Sequence, residues 1–209
     1  MPGDAGTSHQ RTERRSWLLA GSAFLALALT GCERSPPSYQ AIDLTGAEFG
    51  RTLALQDPDG RTRTLEEFRG RYVMLFFGFT QCPDVCPTAL ARAVEVRRLL
   101  GPDAGKVQVL LVSVDPERDT SEVLRQYIAA FDPGFVALRG DAQATEAVAK
   151  EFKIHYAKMP TGDSYTMDHT ALTYVIDPDG HLRLAVRHEQ TPQEVARDLR
   201  TLMSTGAER

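Results

Sequence analysis

Cysteine is scarce in this sequence: its 209 residues include three, at positions 32, 82 and 86. Cys32 follows an N-terminal apolar run, so Cys82 and Cys86 are the thiols that remain for a folded domain. Those two thiols can be bonded to each other, be bonded to a partner, or hold a metal. A structural zinc site normally uses four ligands, and the lack of a third cysteine in the domain argues against that kind of site.

Positive charge is not in excess either, because 24 Lys and Arg face 28 Asp and Glu, a formal net charge of −4. The sequence has no basic stripe and no alternation of basic with aromatic residues, so nucleic-acid binding has no support. Repeats and low-complexity segments are absent as well. The length and the 42% hydrophobic content suit one globular domain with its own core.

A hydrophobic run long enough to span a membrane is also missing. Residues 17–30 form an apolar run of 14 positions, short of the roughly 18 that a spanning helix needs. Three arginines precede the run within residues 11–15 and small residues follow it, as in an export signal. The ending Leu-Thr-Gly-Cys at 29–32 resembles a bacterial lipobox, in which the cysteine is lipid-modified and becomes the mature N-terminus. The adjacent Arg14 and Arg15 resemble a twin-arginine export motif more weakly.

These features predict an exported, membrane-anchored protein that faces the periplasm or the outer side of the bacterial cytoplasmic membrane. We expect residues 1–31 to be the export or lipoprotein signal and Cys32 to carry the lipid. The alternative is an unmodified Cys32 in an uncleaved anchor helix. Residues 32–46 contain two prolines and little periodicity, which predicts a tether. The folded domain is expected over residues 47–205.

Strands and helices are predicted to alternate along the domain. Residues 51–56 and 61–64 are expected to form an N-terminal β-hairpin around the Asp-Pro-Asp-Gly turn at 57–60. The nearly apolar runs at 71–79 and 106–114 are typical of strands buried on both faces. The other predictions are a helical turn at 65–68, helices at 88–100, 120–131, 141–152 and 191–203, strands at 135–138, 170–176 and 181–186, and irregular structure at 153–162. This order predicts an α/β fold with a central, mostly parallel sheet, helices on both faces and antiparallel edges.

Cys82 and Cys86 lie between the buried strand at 71–79 and the helix at 88–100. Pro87 suits the first helical position, which makes Cys86 the expected N-cap. A helix N-terminus carries partial positive charge and favours thiolate over thiol. If the turn from Cys82 is already helical, positions i and i+4 share one face and both sulfurs point to one spot. The pattern indicates a paired soft-ligand site or a redox pair, and the alternatives are a structural disulfide or two small packed side chains.

Three motifs along the domain resemble one known family. They are FTQCPDVCP at 79–87, SVDPERDT at 113–120, and Asp168-His169 before a strand that ends in Asp-Pro-Asp-Gly at 177–180. Together they are similar to the Sco/SenC family of copper proteins, which help to assemble cytochrome c oxidase. The similarity covers about residues 45–203, nearly the whole domain. It implies a thioredoxin-like fold and copper ligation by Cys82, Cys86 and His169.

The chemistry of that ligand set agrees with copper, because two thiolates and one imidazole suit Cu(I) and are able to hold Cu(II) as well. Asp115 follows a strand end, where sheets of this type form their sites. It is either a group that orients a ligand or an ordinary Asp-Pro turn residue. Asp84 adds negative charge between the two cysteines.

Several other side chains near these motifs are expected to have structural roles or to face solvent. Met159 and Met167 are possible soft donors, although methionine at irregular positions more often fills gaps. Arg118 and Asp119 match the family motif, and a structural ion pair or cap is the expected role. Of the remaining histidines, His155 and His188 are expected to face solvent, and His181 lies beyond a turn from His169.

Two functions remain open from the sequence. The first is a membrane-tethered copper metallochaperone that receives copper from a donor chaperone and delivers it to the dinuclear copper centre in the copper-bearing subunit of cytochrome c oxidase. The alternative is a thiol–disulfide oxidoreductase that uses Cys82 and Cys86 to reduce the cysteines of that oxidase site. A general thioredoxin is disfavoured, because three residues rather than two separate the thiols and His169-Thr170 stands where a thioredoxin has proline. Peroxidase activity is a third and weaker hypothesis.

Overall fold

Strands and helices alternate along the chain, as the sequence predicts. The structure is a computed structural model that describes residues 37–206. In chain order the strands are β1 Ile42–Asp43, β2 Ala54–Gln56, β3 Thr62–Thr64, β4 Tyr72–Gly78, β5 Val107–Ser113, β6 Val136–Leu138, β7 Tyr156–Thr161, β8 Ser164–His169, β9 Thr173–Ile176 and β10 Leu182–Val186. The α-helices are α1 Val85–Leu100, α2 Ser121–Ala129, α3 Ala142–Glu151 and α4 Pro192–Gly206, and 3₁₀ helices lie at Leu65–Phe68 and Gly101–Lys106.

The central sheet has the strand order β1-β10-β9-β4-β5-β6. β4, β5 and β6 run parallel, whereas the pairings on the other side of β4 are antiparallel. Every residue of β4 and β5 is buried, and successive side chains of a strand point to opposite faces, so both faces of the sheet are covered. Among the helices, α1 packs against α4, α2 contacts β6 of this sheet, and α3 contacts β2, which lies outside it. The predicted α/β architecture is confirmed.

The predicted N-terminal hairpin is present as the β2–β3 pair. Its turn is fixed by Asp57, whose carboxylate accepts hydrogen bonds from the backbone N–H groups of Asp59 and Arg61 at 3.0 Å each. Gly60 has a φ of 81°, a left-handed conformation that glycine adopts without a steric penalty. The turn chemistry read from the sequence therefore operates as expected.

The prediction of irregular structure at residues 153–162 is wrong, because β7 lies there and pairs with β8 in a second hairpin. The two strands pair from Tyr156 opposite His169 to Thr161 opposite Ser164. Most of their side chains are exposed or half-buried, so the apolar alternation that marks a buried strand is missing. The usable signal was the two-residue Gly-Asp turn at 162–163, in which Gly162 has a φ of 58°.

The helix after the cysteines begins earlier than predicted, at Val85 instead of residue 88. Asp84 occupies the N-cap position, so the prediction of Cys86 as the N-cap is wrong, and Cys86 and Pro87 lie inside the first turn. Proline fits there because the first N–H groups of a helix have no acceptor within the helix. The position of Pro87 therefore marks the first turn rather than the first residue.

The sheet already begins within the predicted tether. Ile42 of β1 pairs with Ala185 of β10, and the buried carboxylate of Asp198 on α4 accepts hydrogen bonds from the backbone N–H groups of Gln40 and Ala41. The boundary predicted at residue 47 falls after this strand, because a two-residue strand leaves no periodicity to recognise. Within residues 37–206 no helix combines the length and the hydropathy needed to cross a bilayer. Cys32 and the predicted signal lie outside the described residues.

Candidate metal centre

Cys82 and Cys86 lie on the loop and the first helical turn that follow β4. Cys82 is half-buried and Cys86 is fully buried. The backbone N–H of Cys86 points at the sulfur of Cys82, with 3.5 Å between nitrogen and sulfur. This N–H belongs to the unpaired group at a helix N-terminus, so it is available to stabilise negative charge on the Cys82 sulfur.

His169, the last residue of β8, closes the site from the other side. Its Nε2 lies 3.6 Å from the sulfur of Cys86, and its Nδ1 lies 3.2 Å from the backbone carbonyl of Thr170. Because a carbonyl only accepts, Nδ1 carries the proton in this hydrogen bond and the neutral ring keeps its Nε2 lone pair on the side of Cys86. Burial lowers the pKa of His169, which favours the neutral ring that a metal ligand requires.

Two phenylalanines hold the His169 ring in place. Phe76 of β4 meets it in a T-shaped arrangement with 6.0 Å between ring centroids. Phe79, just after β4, does the same at 5.9 Å. Both phenylalanines are buried, so the imidazole has apolar walls that limit its rotation and exclude water.

The two sulfurs and the imidazole nitrogen form one group, with the ligand atoms of Cys82, Cys86 and His169 all within 4.8 Å of one another. Metal–sulfur and metal–nitrogen bonds of about 2.0–2.3 Å, as in zinc sites, place the ligand atoms of a three-coordinate ion about 4 Å apart. Small side-chain adjustments therefore suffice for the three residues to hold one ion. The donor set is soft and low-coordinate, of the kind that thiolate-preferring metals such as Cu(I) take.

The pKa of Cys86 differs from the expectation based on the helix N-terminus alone. Burial raises the pKa of Cys86 strongly, and the Phe79 backbone hydrogen bond that opposes this effect is the smaller influence. Cys86 is therefore a thiol in the metal-free protein, and metal binding has to displace its proton. The N–H of Cys86 in the first helical turn points at the sulfur of Cys82, the more exposed of the two thiols.

Asp115 lies beside the site but is engaged elsewhere. Its carboxylate accepts hydrogen bonds from Arg118 Nε at 2.5 Å and from the Tyr165 hydroxyl at 2.9 Å. Within the described residues, none of its hydrogen bonds reaches Cys82, Cys86 or His169.

Asp119 fixes the loop that carries Cys82. Its fully buried carboxylate accepts hydrogen bonds from the Ser113 hydroxyl at 2.6 Å, the Thr80 hydroxyl at 2.6 Å and the Thr80 backbone N–H at 3.2 Å. Burial raises the pKa of Asp119, and these hydrogen bonds oppose the rise. The expected ion pair is between Arg118 and Asp115 instead, and the helix cap is Thr120, whose hydroxyl accepts from the N–H of Val123.

The remaining candidates differ in burial. Met167 is buried in the hydrophobic core, consistent with gap filling, whereas Met159 on β7 is 48% exposed. His155 is exposed as predicted, but His188 is half-buried, because the loop that carries it folds over Arg92, which donates to its carbonyl at 2.6 Å. Asp84 is exposed at the helix start.

A second group, at the β9–β10 turn, also brings possible ligand atoms together. It consists of Asp177, Asp179 and His181. Its central carboxylate, on Asp177, accepts hydrogen bonds from the N–H groups of Asp179 and His181 and pairs with Arg183 at 3.2 Å. These interactions are those of a stabilised turn.

Sequence reasoning missed the residues that brace the site. In the sequence, Phe76 and Phe79 look like ordinary core positions of the strand predicted at 71–79, and no structure is predicted for the residues around Tyr165. Arg118 was expected in an ion pair, although it also donates to Gln81 and to the carbonyl of Tyr165. The available signal was the position of Arg118 in the motif at 113–120, three residues after Asp115 at the strand end where a site is expected.

The comparisons with known proteins agree with the motifs. The SCO1/SenC family model matches residues 43–204. A SCO2-like protein of Rickettsia felis is 31% identical over 178 residues, covering 84% of this chain and 87% of that protein. Among solved structures, ScoI of Bradyrhizobium japonicum with copper bound is 42% identical with a TM-score of 0.67, covering 73% of this chain and 98% of the other.

A solved structure of a metal-free protein matches as well. The apo Sco1 protein of Thermus thermophilus is 34% identical with a TM-score of 0.70, covering 81% of this chain and 99% of the other. These matches confirm the thioredoxin-like fold class. The family match spans the cysteine loop, the loop after β5 and the β7–β8 hairpin together. The chain therefore belongs to the SCO1/SenC family.

Proposed function

We propose that this protein is a copper metallochaperone that delivers copper toward the dinuclear copper centre of cytochrome c oxidase. The observation that carries the proposal is the meeting of Cys82, Cys86 and His169, whose ligand atoms lie within 4.8 Å of one another. Family membership supports copper as the cargo, because ScoI of Bradyrhizobium japonicum, at 42% identity, is a copper-bound structure. Family membership, through the motif resemblance, also supports the oxidase as the destination.

The donor set fits a transported ion better than a permanent structural one. Soft thiolates select Cu(I), and the imidazole lets the same site accept Cu(II). A structural zinc site normally closes four ligands, whereas the Cys82–Cys86–His169 group offers three. A three-ligand set leaves room for an incoming ligand of a recipient protein, which release of the ion requires.

The unequal burial of the two thiols gives a direction to the transfer. Cys82 is half-buried and lies between the exposed residues Gln81 and Pro83, while Cys86 is fully buried. A ligand of the recipient therefore reaches the metal from the Cys82 side. Copper then passes by exchange of thiolate ligands, for which both cysteines have to be reduced.

The location follows from the N-terminal segment. We propose that residues 1–31 direct export and that lipid on Cys32 holds the domain at the outer face of the cytoplasmic membrane, on the periplasmic side. A tether would join the domain at one defined place, because the carboxylate of Asp198 accepts hydrogen bonds from the backbone N–H groups of Gln40 and Ala41. An intact mass of the membrane-extracted protein that showed a free Cys32 would contradict the lipid anchor.

A second candidate function is thiol–disulfide exchange, favoured by the contact of the Cys86 N–H with the Cys82 sulfur at 3.5 Å. In that reaction the Cys82 thiolate attacks a substrate disulfide, forms a mixed disulfide and releases one substrate thiolate. The Cys86 sulfur, after loss of its proton, then attacks Cys82 and releases the second substrate thiolate. Two electrons pass to the substrate, and Cys82 and Cys86 end as a disulfide.

Copper titration beside a disulfide-reduction assay separates the two functions. The reduced protein is expected to bind one copper ion per chain and to show sulfur-to-copper charge-transfer absorption when loaded with Cu(II). His169→Ala should weaken binding and remove that absorption, because the imidazole is lost while both thiols remain. His155→Ala is the matched control, because this exposed histidine makes hydrogen bonds through its backbone, and within the described residues its ring makes none. Disulfide reduction that persists at full rate in His169→Ala, together with unchanged copper binding, would favour the oxidoreductase.

A further inference from the structure

Arg118 contacts both of the segments that carry the candidate ligands. It lies in the loop after β5 with 17% of its side chain exposed, and its Nε donates to Asp115. Its Nη1 donates to Gln81 Oε1 at 3.0 Å and to the backbone carbonyl of Tyr165 at 2.8 Å. Gln81 precedes Cys82, and Tyr165 lies on β8, the strand that ends at His169. One guanidinium nitrogen therefore bridges the cysteine loop and the histidine strand.

Aromatic contacts extend this bridge to the imidazole. The guanidinium carbon of Arg118 lies 3.7 Å from the ring centroid of Tyr165 and 5.8 Å from that of Phe79. Phe79 is the ring that meets His169 in a T-shaped contact. The Tyr165 hydroxyl donates to Asp115, so Tyr165 is held through its backbone, its ring and its hydroxyl. A continuous chain of contacts thus runs from Arg118 to His169.

Apart from the contacts of Arg118 and the Tyr165–Asp115 hydrogen bond, the β7–β8 hairpin and the loop after β5 are joined by a weaker, exposed ion pair. Lys158 pairs with Glu117 at 2.8 Å, but their side chains are 45% and 68% exposed, and exposed pairs contribute little. A cavity of about 340 Å³ lies between the hairpin and this loop, lined in part by Tyr156 and Met167. The hairpin and this loop are therefore not fully packed against each other, and Arg118 connects them by hydrogen bonds.

We propose that Arg118 is a positioning residue that sets the place of the His169 imidazole relative to the two thiols. The inference deepens the proposed function, on which it rests for its metal readout. A guanidinium presents five N–H donors in fixed directions, whereas lysine has one ammonium group on a flexible stem. Lysine at position 118 keeps the charge beside Asp115 but does not hold Gln81 and the Tyr165 carbonyl together. The two thiols are only four residues apart, on the loop and the first helical turn after β4, and remain close without the bridge.

The test compares Arg118→Lys and Arg118→Met with Arg97→Met in the purified full-length protein. Arg97 is a matched control because it also pairs with a carboxylate, Asp132 at 2.9 Å, and lies over an aromatic ring, Phe135 at 5.7 Å. It lies in the last turn of α1, about 16 Å along the helix from Cys86 at 1.5 Å per residue. The measurements are the charge-transfer spectrum and affinity with Cu(II), the affinity for Cu(I), and thermal unfolding without metal.

Both Arg118 variants are expected to lose about 10- to 100-fold in Cu(II) affinity, the usual effect of removing an outer partner of a ligand, and to shift the charge-transfer band. Cu(I) affinity should fall less, because thiolates are its preferred ligands. Arg97→Met should lower the unfolding temperature and leave the spectrum unchanged. A wild-type spectrum and Cu(II) affinity in Arg118→Met would overturn the proposal, and so would an equal spectral change in Arg97→Met.

A second readout uses no metal, so that the positioning role and the copper function can fail separately. In the metal-free wild type, nuclear Overhauser effects are expected between the ring protons of His169 and Phe79. They should weaken or disappear in Arg118→Met and persist in Arg97→Met. If the wild type bound no copper, the proposed function would fail and this comparison would still decide the role of Arg118. Persistence of these effects in Arg118→Met would overturn the positioning role.

Discussion

Substitution of Gly78, the last residue of β4, by alanine tests how tightly the candidate metal centre is packed. A methyl group at this position would lie 2.8 Å from the Cys86 sulfur and 2.6 Å from Cε1 of Phe76. Ordinary contacts of a Cβ atom begin at 3.4 Å, so the sulfur, the backbone at position 78 or both have to shift by about 0.6 Å in total to restore that spacing, more than the ~0.2 Å tolerance of a metal–ligand distance. The backbone at Gly78 lies outside the left-handed region, so the effect arises from the side-chain clash.

The same clash sets the expected loss of stability. Extra carbon in a well-packed core costs about 1–3 kcal/mol in the free energy of unfolding, and each kcal/mol lowers the unfolding temperature by about 2–4 °C in a domain of this size. Copper affinity should fall as well, because Cys86 and Phe76 both contact the His169 ring.

The assay is thermal unfolding of the metal-free protein beside a copper titration. Gly105→Ala is the matched control, since nothing lies within 4 Å of a methyl group at that position, and it should leave both quantities unchanged. If Gly78→Ala matched Gly105→Ala in unfolding temperature and in copper affinity, the packing described around Cys86 would be incorrect.

Two further predictions concern buried carboxylates. Asp198→Ala leaves the buried N–H group of Ala41 and the part-buried N–H group of Gln40 without their acceptor, at a cost of about 1–3 kcal/mol for the buried group. Hydrogen exchange across β1 should accelerate, and unchanged exchange would refute the role of this contact. Burial raises the pKa of Asp119, so the folded state binds a proton more readily than the unfolded chain, and ionised Asp119 destabilises the fold. The stability of the wild type relative to Asp119→Asn should therefore fall as the pH rises from about 4 through the folded-state pKa, and a rise over that range would contradict the sign.

The sequence was sufficient where one physical signal dominated. β4 and β5 are recognisable because strands covered on both faces are apolar throughout, and the β2–β3 hairpin because its turn contains proline and glycine at the positions that need them. The convergence of His169 on Cys82 and Cys86, in contrast, spans 83 residues between Cys86 and His169. No local pattern encodes such a distance, and only the motif resemblance predicted it.

What the sequence did not reveal depends on the tertiary environment. The β7–β8 hairpin is largely exposed, so it lacks the apolar alternation by which strands are recognised, and its partners lie on the loop after β5. The raised pKa of Cys86 arises from burial that outweighs the Phe79 backbone hydrogen bond, a balance that only a packed structure fixes. The bridge formed by Arg118 follows from the approach of three chain segments, none of which predicts the others.

X-ray absorption of the copper-loaded protein, with one copper ion per chain, shows directly whether Cys82, Cys86 and His169 bind the same ion. We predict a first shell of two sulfur atoms and one imidazole nitrogen, with the nitrogen lost in His169→Ala and retained in His155→Ala. A shell that contained sulfur alone, or one that kept its imidazole in His169→Ala, would contradict the assignment of Cys82, Cys86 and His169 as one metal centre.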